Sequence, residues 1–174
     1  MSRRAGGDGV NLRHSVHLWP ALAIVVLDQA TKAIVRSRLT LHDGITVIPG
    51  VLDLTRVHNT GAAYGFLDQV EFPFKPVFLA IIAIGALVGL AMYAATLEPG
   101  QKLTRAGLSL VMGGAAGNLI DRVTAGYVLD FVDVYRGDWH FWAFNVADAA
   151  ISVGVALMIL ELLGIGRVRV SRAV

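Results

Sequence analysis

No cysteine occurs in this chain of 174 residues. That absence excludes disulfides, thiol nucleophiles and thiolate metal sites. Charge is scarce too: Asp, Glu, Lys and Arg make up 16% of the residues, against 55% hydrophobic, where a soluble domain carries about 25% charged residues. None of the five histidines stands at a ligand spacing, so metal chemistry is not expected. The basic residues are scattered rather than run together with aromatics, so the pI of about 9.2 does not point to nucleic acid. What is abundant is apolar sequence, with a mean hydropathy of +0.62. The composition is that of an integral membrane protein.

Apolar stretches lie at about residues 18–35, 76–97, 103–123 and 145–165, each close to the ~20 residues that cross a bilayer. They predict an all-α polytopic membrane fold of four transmembrane helices, one domain over residues 1–174. The first stretch, broken by Asp28 and Lys32 and followed by no small-residue cleavage site, reads as an uncleaved helix. The second has no charge and ends at Glu98-Pro99-Gly100. Arg3, Arg4 and Arg13, then Lys102 and Arg105, then Arg167, Arg169 and Arg172 put both termini in the cytoplasm. Arg36, Arg38 and Arg56 run against that bias, among the acidic Asp43, Asp53, Asp68, Glu71, Asp133 and Asp138. Residues 36–75 and 124–144 are then extracytoplasmic. Within the first of these, Gly44 to Gly50 followed by Val51 to Val57 alternates like a hairpin, predicting a small extracytoplasmic β-sheet between helices 1 and 2. Gly85/Gly89 and Gly113/Gly117 have the small-xxx-small spacing of close helix packing.

An ionisable side chain at membrane depth costs about 2.5 to 3.5 kcal/mol on insertion scales, so those retained there point to function. Asn118, Asp121 and Arg122 share one face of the third span; Asn145, Asp148 and Ser152 share one face of the fourth; Asp28 and Lys32 are i, i+4 on the first. Asp130 follows in the connection between the third and fourth spans. Asp148 is three residues inside its span, roughly 5 Å deep at 1.5 Å per residue, well short of the midplane at about 15 Å. A shallow carboxylate suits hydrolysis at the membrane surface better than alternating-access transport, which favours the midplane. Asp130 and Asp148 are therefore candidates for a pair sharing one proton, the ionised member activating water and the protonated member assisting the scissile carbonyl.

Structural readings stand beside these. Asp28 with Lys32 reads as an intrahelical ion pair, Asp121 with Arg122 as charge compensation at a helix end, and Asn59 as a turn former. Trp139, Phe141 and Trp142 read as an interfacial belt, with His140 a boundary residue. A small transporter using Asp28, Lys32, Asp121, Arg122 and Asp148 as a relay, or a non-catalytic membrane scaffold, uses the same residues. Four spans without a visible inverted repeat are few for a transporter.

Five segments together resemble the lipoprotein signal peptidases, also called signal peptidase II. They are Asp28-Gln29-Ala30-Thr31-Lys32, Asn59 to Phe66, Gly113 to Val123, Val128-Leu129-Asp130-Phe131 and Phe144 to Asp148. All stand in the family's order and span about residues 18 to 165. The resemblance implies an intramembrane-type aspartyl endopeptidase with Asp130 and Asp148 as the dyad. Asn59, Asn118, Arg122 and Asn145 match positions that hold substrate or support the dyad, and Asp28, Lys32 and Asp121 match supporting polar positions. It further implies a diacylglyceryl-modified prolipoprotein as substrate, cut just before its lipidated cysteine, and a bacterial inner-membrane location with the site near the outer face. No cofactor and no obligate protein partner are implied. The loop from Thr124 to Phe144 joins the two candidate aspartates and is a candidate gate.

Overall fold

The computed structural model describes residues 18–61, 72–98 and 100–165. In chain order the elements are α1 (Leu18–Arg38), β1 (Gly44–Ile48), β2 (Leu52–Asn59), α2 (Lys75–Thr96), α3 (Lys102–Ala125), β3 (Val128–Arg136), β4 (Trp139–His140) and α4 (Val146–Leu162). All four predicted spans are helices. Among the described residues, α1 and α2 are long and apolar enough to cross a membrane. Helix α3 carries Lys102, Arg105, Asp121 and Arg122 within its 24 residues, and α4 is 17 residues long. The arginines outside the first and fourth helices that set the predicted orientation lie outside the described residues.

Helix α3 is the centre of the bundle, packing on α1, α2 and most extensively on α4. Glycine makes that closeness possible. A Cβ on Gly107 would stand 2.4 Å from the Gly154 carbonyl oxygen, and one on Gly114 would stand 2.4 Å from that of Ala147, distances no side chain tolerates. On the α1 side, Gly113 and Gly117 meet the Ala21 backbone and the Asp28 carboxylate. The predicted packing motif of α2 behaves differently. Gly85 and Gly89 have nothing within 4 Å of a built Cβ among the described residues, because α2 leans on α3 by another face.

The distribution of polarity is inverted relative to a water-soluble bundle. Asp28, Lys32 and Asp121 are fully buried, while Leu22, Val26, Ile34, Ile81, Ile82 and Val153 are exposed. Polar groups brought together inside must satisfy one another, and an apolar exterior is stable only against an apolar solvent.

The sheet differs from the sequence expectation. It has four antiparallel strands in the order β1-β2-β3-β4, so the 124–144 connection supplies half of it and the sheet is not confined to the α1–α2 connection. The predicted β1–β2 hairpin is present. Gly126, left-handed at φ 80°, closes α3 with its amide on the Arg122 carbonyl and releases Val128 into β3, a run rich in β-branched and aromatic residues. Between β2 and β3 the pairing goes from Leu54↔Val132 to Val57↔Asp130 and Asn59↔Val128. One extra residue on β2 is a β-bulge. Val35 and Leu39 at the end of α1 pack with Leu129 and Phe131, seating the sheet on the bundle. Trp139 and Trp142 project outward, 62% and 61% exposed, and Phe141 is 40% exposed. His140 beside them binds the Asp133 carboxylate through Nδ1 at 2.9 Å and stacks on Tyr135.

Candidate active site

Asp130 enters from near the start of β3 and Asp148 from the first turn of α4, and the residue that links them is Asn145. As N-cap of α4, Asn145 accepts the Asp148 amide on Oδ1 at 2.9 Å, while its own amide donates to Asp148 Oδ2 at 3.2 Å. This is a reciprocal capping box. The remaining arm, Nδ2, donates to Asp130 Oδ1 at 2.7 Å. Asp130 Oδ2 accepts from Asn59 Nδ2 at 2.9 Å, and Asp148 Oδ1 accepts from Asn118 Nδ2 at 2.8 Å. Each carboxylate is thus held on both oxygens.

Asn59 is itself fixed, its Oδ1 accepting the Gly61 amide at 2.9 Å. The turn reading and the contact with Asp130 therefore hold together. Residues 62–66 of that predicted segment lie outside the described residues. Arg122 does not pair with Asp121. Its guanidinium donates to the carbonyl oxygens of Gly61, at 3.2 Å, and Asn118, at 3.4 Å. Successive residues on a helix point about 100° apart, so sequence adjacency gave the wrong partner.

Behind the two aspartates lies a charge cluster. Lys32 Nζ stands 2.8 Å from Asp28 Oδ2, 2.9 Å from Asp121 Oδ2 and 3.0 Å from Asn118 Oδ1. Arg36 reaches Asp121 Oδ1 at 2.7 Å, and Gln29 Nε2 donates to Asp28 Oδ2 and to the Gly117 carbonyl. Two cations balance two carboxylates, as burial demands. The cluster also ties elements together: Asp28 Oδ1 accepts the Ala147 amide of α4, and Asp121 Oδ2 accepts the Leu129 amide of β3. Both candidate aspartates thus sit one residue from a backbone amide pinned to this cluster. Gln29 and Arg36 were given no site role in the sequence, although Asp28, Lys32 and Arg36 form an i, i+4, i+8 stripe that pointed to Arg36.

A cavity of about 660 Å³ opens in front of the aspartates, bounded by α2, α3, α4 and the β3–α4 connection. Asn59, Asn118, Arg122, Asp130 and Asp148 supply its polar part, and Ala83, Ile151, Val153, Phe141, Trp142 and Phe144 its apolar walls. Burial, and then the negative charge of Asp148, push the Asp130 carboxyl up to about 7, against the amide hydrogen bonds of Asn59 and Asn145 and the more distant Lys32 charge. Near neutral pH it is poised to hold or release a proton. No group of metal-ligating side chains occurs among the described residues.

Residues 20–164 match the family model described as signal peptidase (SPase) II. The chain belongs to the signal peptidase II family. It is 45% identical over 139 residues to the lipoprotein signal peptidase of Geobacter metallireducens, covering 80% of this chain and 85% of that one. To the lipoprotein signal peptidase of Symbiobacterium thermophilum it is 44% identical over 147 residues, 84% of this chain and 93% of the relative. A bacterial membrane enzyme solved by the in meso method at 1.9 Å superposes with a TM-score of 0.74 at 34% identity, over 86% of this chain and 97% of the other. Membership in signal peptidase II makes the chain a protease of bacterial membranes that acts on lipoprotein precursors.

Proposed function

We propose that this signal peptidase II member is an aspartyl endopeptidase that removes the signal peptide of diacylglyceryl-modified prolipoproteins, cutting just before the lipidated cysteine. The observation that carries the reading is the bridge by Asn145, which holds Asp130 and Asp148 at the wall of one cavity. In this mechanism the ionised carboxylate takes a proton from water as its oxygen attacks the scissile carbonyl, and the protonated carboxyl donates to the carbonyl oxygen. The tetrahedral intermediate then collapses with protonation of the leaving amine, without an acyl-enzyme. Asn59, Asn118 and Asn145 aim the carboxylates, and Arg122 at the cavity wall meets the substrate backbone. The chemistry needs no cofactor.

The apolar exterior and the cavity's apolar walls support a single membrane-embedded domain over residues 1–174. All four helices cross the inner membrane in this reading, both termini are cytoplasmic, and the sheet lies on the outer side. The signal helix and acyl chains of the substrate then stay in lipid while the dyad, near the outer face, meets water. Trp139 and Trp142 anchor the sheet in the headgroup region. The paired, charge-neutral cluster of Asp28, Lys32, Asp121 and Arg36 supports a scaffolding role for those residues over a transport relay.

The test is cleavage of a purified diacylglyceryl-modified prolipoprotein by the detergent-solubilised protein. Asp130→Asn and Asp148→Asn are expected to lose about a thousandfold or more in kcat while remaining folded, and the unlipidated precursor is expected to stay intact. Cleavage that survives either substitution, or that ignores the lipid, overturns the proposal.

A further inference from the structure

The ammonium of Lys32 has three N–H donors, and each has one acceptor: Asp28 Oδ2, Asp121 Oδ2 and Asn118 Oδ1, at 2.8, 2.9 and 3.0 Å. The first two contacts are charge pairing. The third is not, and it falls on a residue that touches a candidate aspartate. Asn118 Oδ1 also accepts from Asn145 Nδ2 at 3.2 Å, which leaves Asn118 Nδ2 to donate to Asp148 Oδ1 at 2.8 Å.

An asparagine amide turned by half a rotation occupies the same space with its donor and acceptor exchanged. Here the exchanged form would press an NH2 group on the lysine ammonium and a carbonyl oxygen on the Asp148 carboxylate. Three hydrogen bonds would be lost, those with Lys32, Asn145 and Asp148, and a repulsion gained at each, the one against the lysine ammonium carrying a full charge, in a place where Lys32 is fully buried and Asn118 only 7% exposed. The cation therefore selects one amide polarity. Asp28, which grips Lys32 with Oδ2, holds the Ala147 amide with Oδ1, so the lysine and the turn that carries Asp148 share one support.

We infer that Lys32 is a positioning residue for the proposed dyad, acting through Asn118: it fixes the amide so that NH2 is always presented to Asp148. The inference rests on the functional reading above. Its role is distinct from neutralising Asp28 and Asp121, because it predicts that Lys32 and Asn118 affect turnover as one unit.

A double-mutant cycle on cleavage of the lipidated precursor tests this, with kcat and KM measured separately and folding followed by thermal unfolding. Lys32→Met and Asn118→Ala are each expected to lower kcat by about thirtyfold or more with KM within about threefold, and the double variant to fall no more than about threefold below Asn118→Ala. Losses that multiply, or a Lys32→Met enzyme with unchanged kcat, overturn the inference. Should Lys32→Met not fold, Lys32→Arg keeps the charge and misplaces the donors. Its kcat loss is expected in the wild-type background and is expected to vanish in the Asn118→Ala background; an equal loss in both overturns the inference. A wild type that does not cleave the lipidated precursor overturns the functional reading and this inference with it, whereas cleavage with multiplying losses overturns the inference alone.

Discussion

Asn145 donates Nδ2 to Asp130 Oδ1 at 2.7 Å from the cap position of the helix that carries the other candidate aspartate. One side chain thereby has two jobs with different readouts. Asn145→Ala removes a helix cap, expected to lower stability by about 0.5–2 kcal/mol, and removes the bridge, expected to lower kcat by about a hundredfold. Asn145→Ser keeps a capping oxygen but not the bridge. It is expected to recover most of the thermal stability and little of the turnover; recovery of both would assign Asn145 to capping alone.

The raised pKa of Asp130 sets a pH dependence. A carboxyl moved from 3.8 up to about 7 by burial and then by Asp148 keeps a proton in the folded state that the unfolded chain has lost between those values. Stability therefore falls as pH rises from about 4 to 7, by about 1.4 kcal/mol per unit at most. Asp130→Asn abolishes this term, so in detergent the variant is expected to unfold at higher temperature than wild type at pH 8 and close to it at pH 4. An identical offset at both values refutes the assignment. On the proposed mechanism, wild-type kcat also declines above about pH 7 as the shared proton is lost.

The helix contacts separate two kinds of glycine. Gly107→Ala and Gly114→Ala each drive a methyl group to 2.4 Å from a carbonyl oxygen of α4 and are expected to cost about 1–3 kcal/mol by overpacking. Gly85→Ala and Gly89→Ala meet nothing within 4 Å among the described residues and are expected to be neutral or to raise the thermal midpoint slightly. Thermal unfolding of the four variants in detergent decides it.

At the opposite end of the bundle Glu161, 2% exposed, accepts the Thr104 amide on Oε2 at 2.7 Å, satisfying the first turn of α3 from α4. Glu161→Ala is expected to lower stability by about 1–3 kcal/mol with kcat within about twofold of wild type. A large loss of kcat at unchanged stability would tie this end to turnover.

The helices were legible because each is a local signal: an apolar run about 20 residues long needs no partner to be recognised. The Asp28–Lys32 pair and the β1–β2 hairpin were legible for the same reason, their spacing being set within one element or one turn. Strand β3 was not. Its partner β2 lies about seventy residues earlier, and no window on Val128 to Arg136 contains Leu52 to Asn59. Asp121 was assigned to its neighbour Arg122, while its partners Lys32 and Arg36 come from the first helix. The meeting of Asp130 with Asp148 passes through Asn145, whose two-sided role appears only when the starts of α4 and of β3 are placed together.

The bulge between Leu54 and Val57 has a further consequence. Paired residues on antiparallel strands point to the same side, so the extra residue of β2 puts Val57 and Asn59 on the side of Asp130. With an even count, Arg56 and His58 would occupy that side and Asn59 would turn away. The candidate site therefore depends on the odd-or-even length of a strand as well as on its letters. Deleting one residue at Thr55 would straighten β2 and leave Val57 opposite Asp130, whereas inserting one beside the bulge would set Arg56 opposite Asp130 and turn Asn59 away.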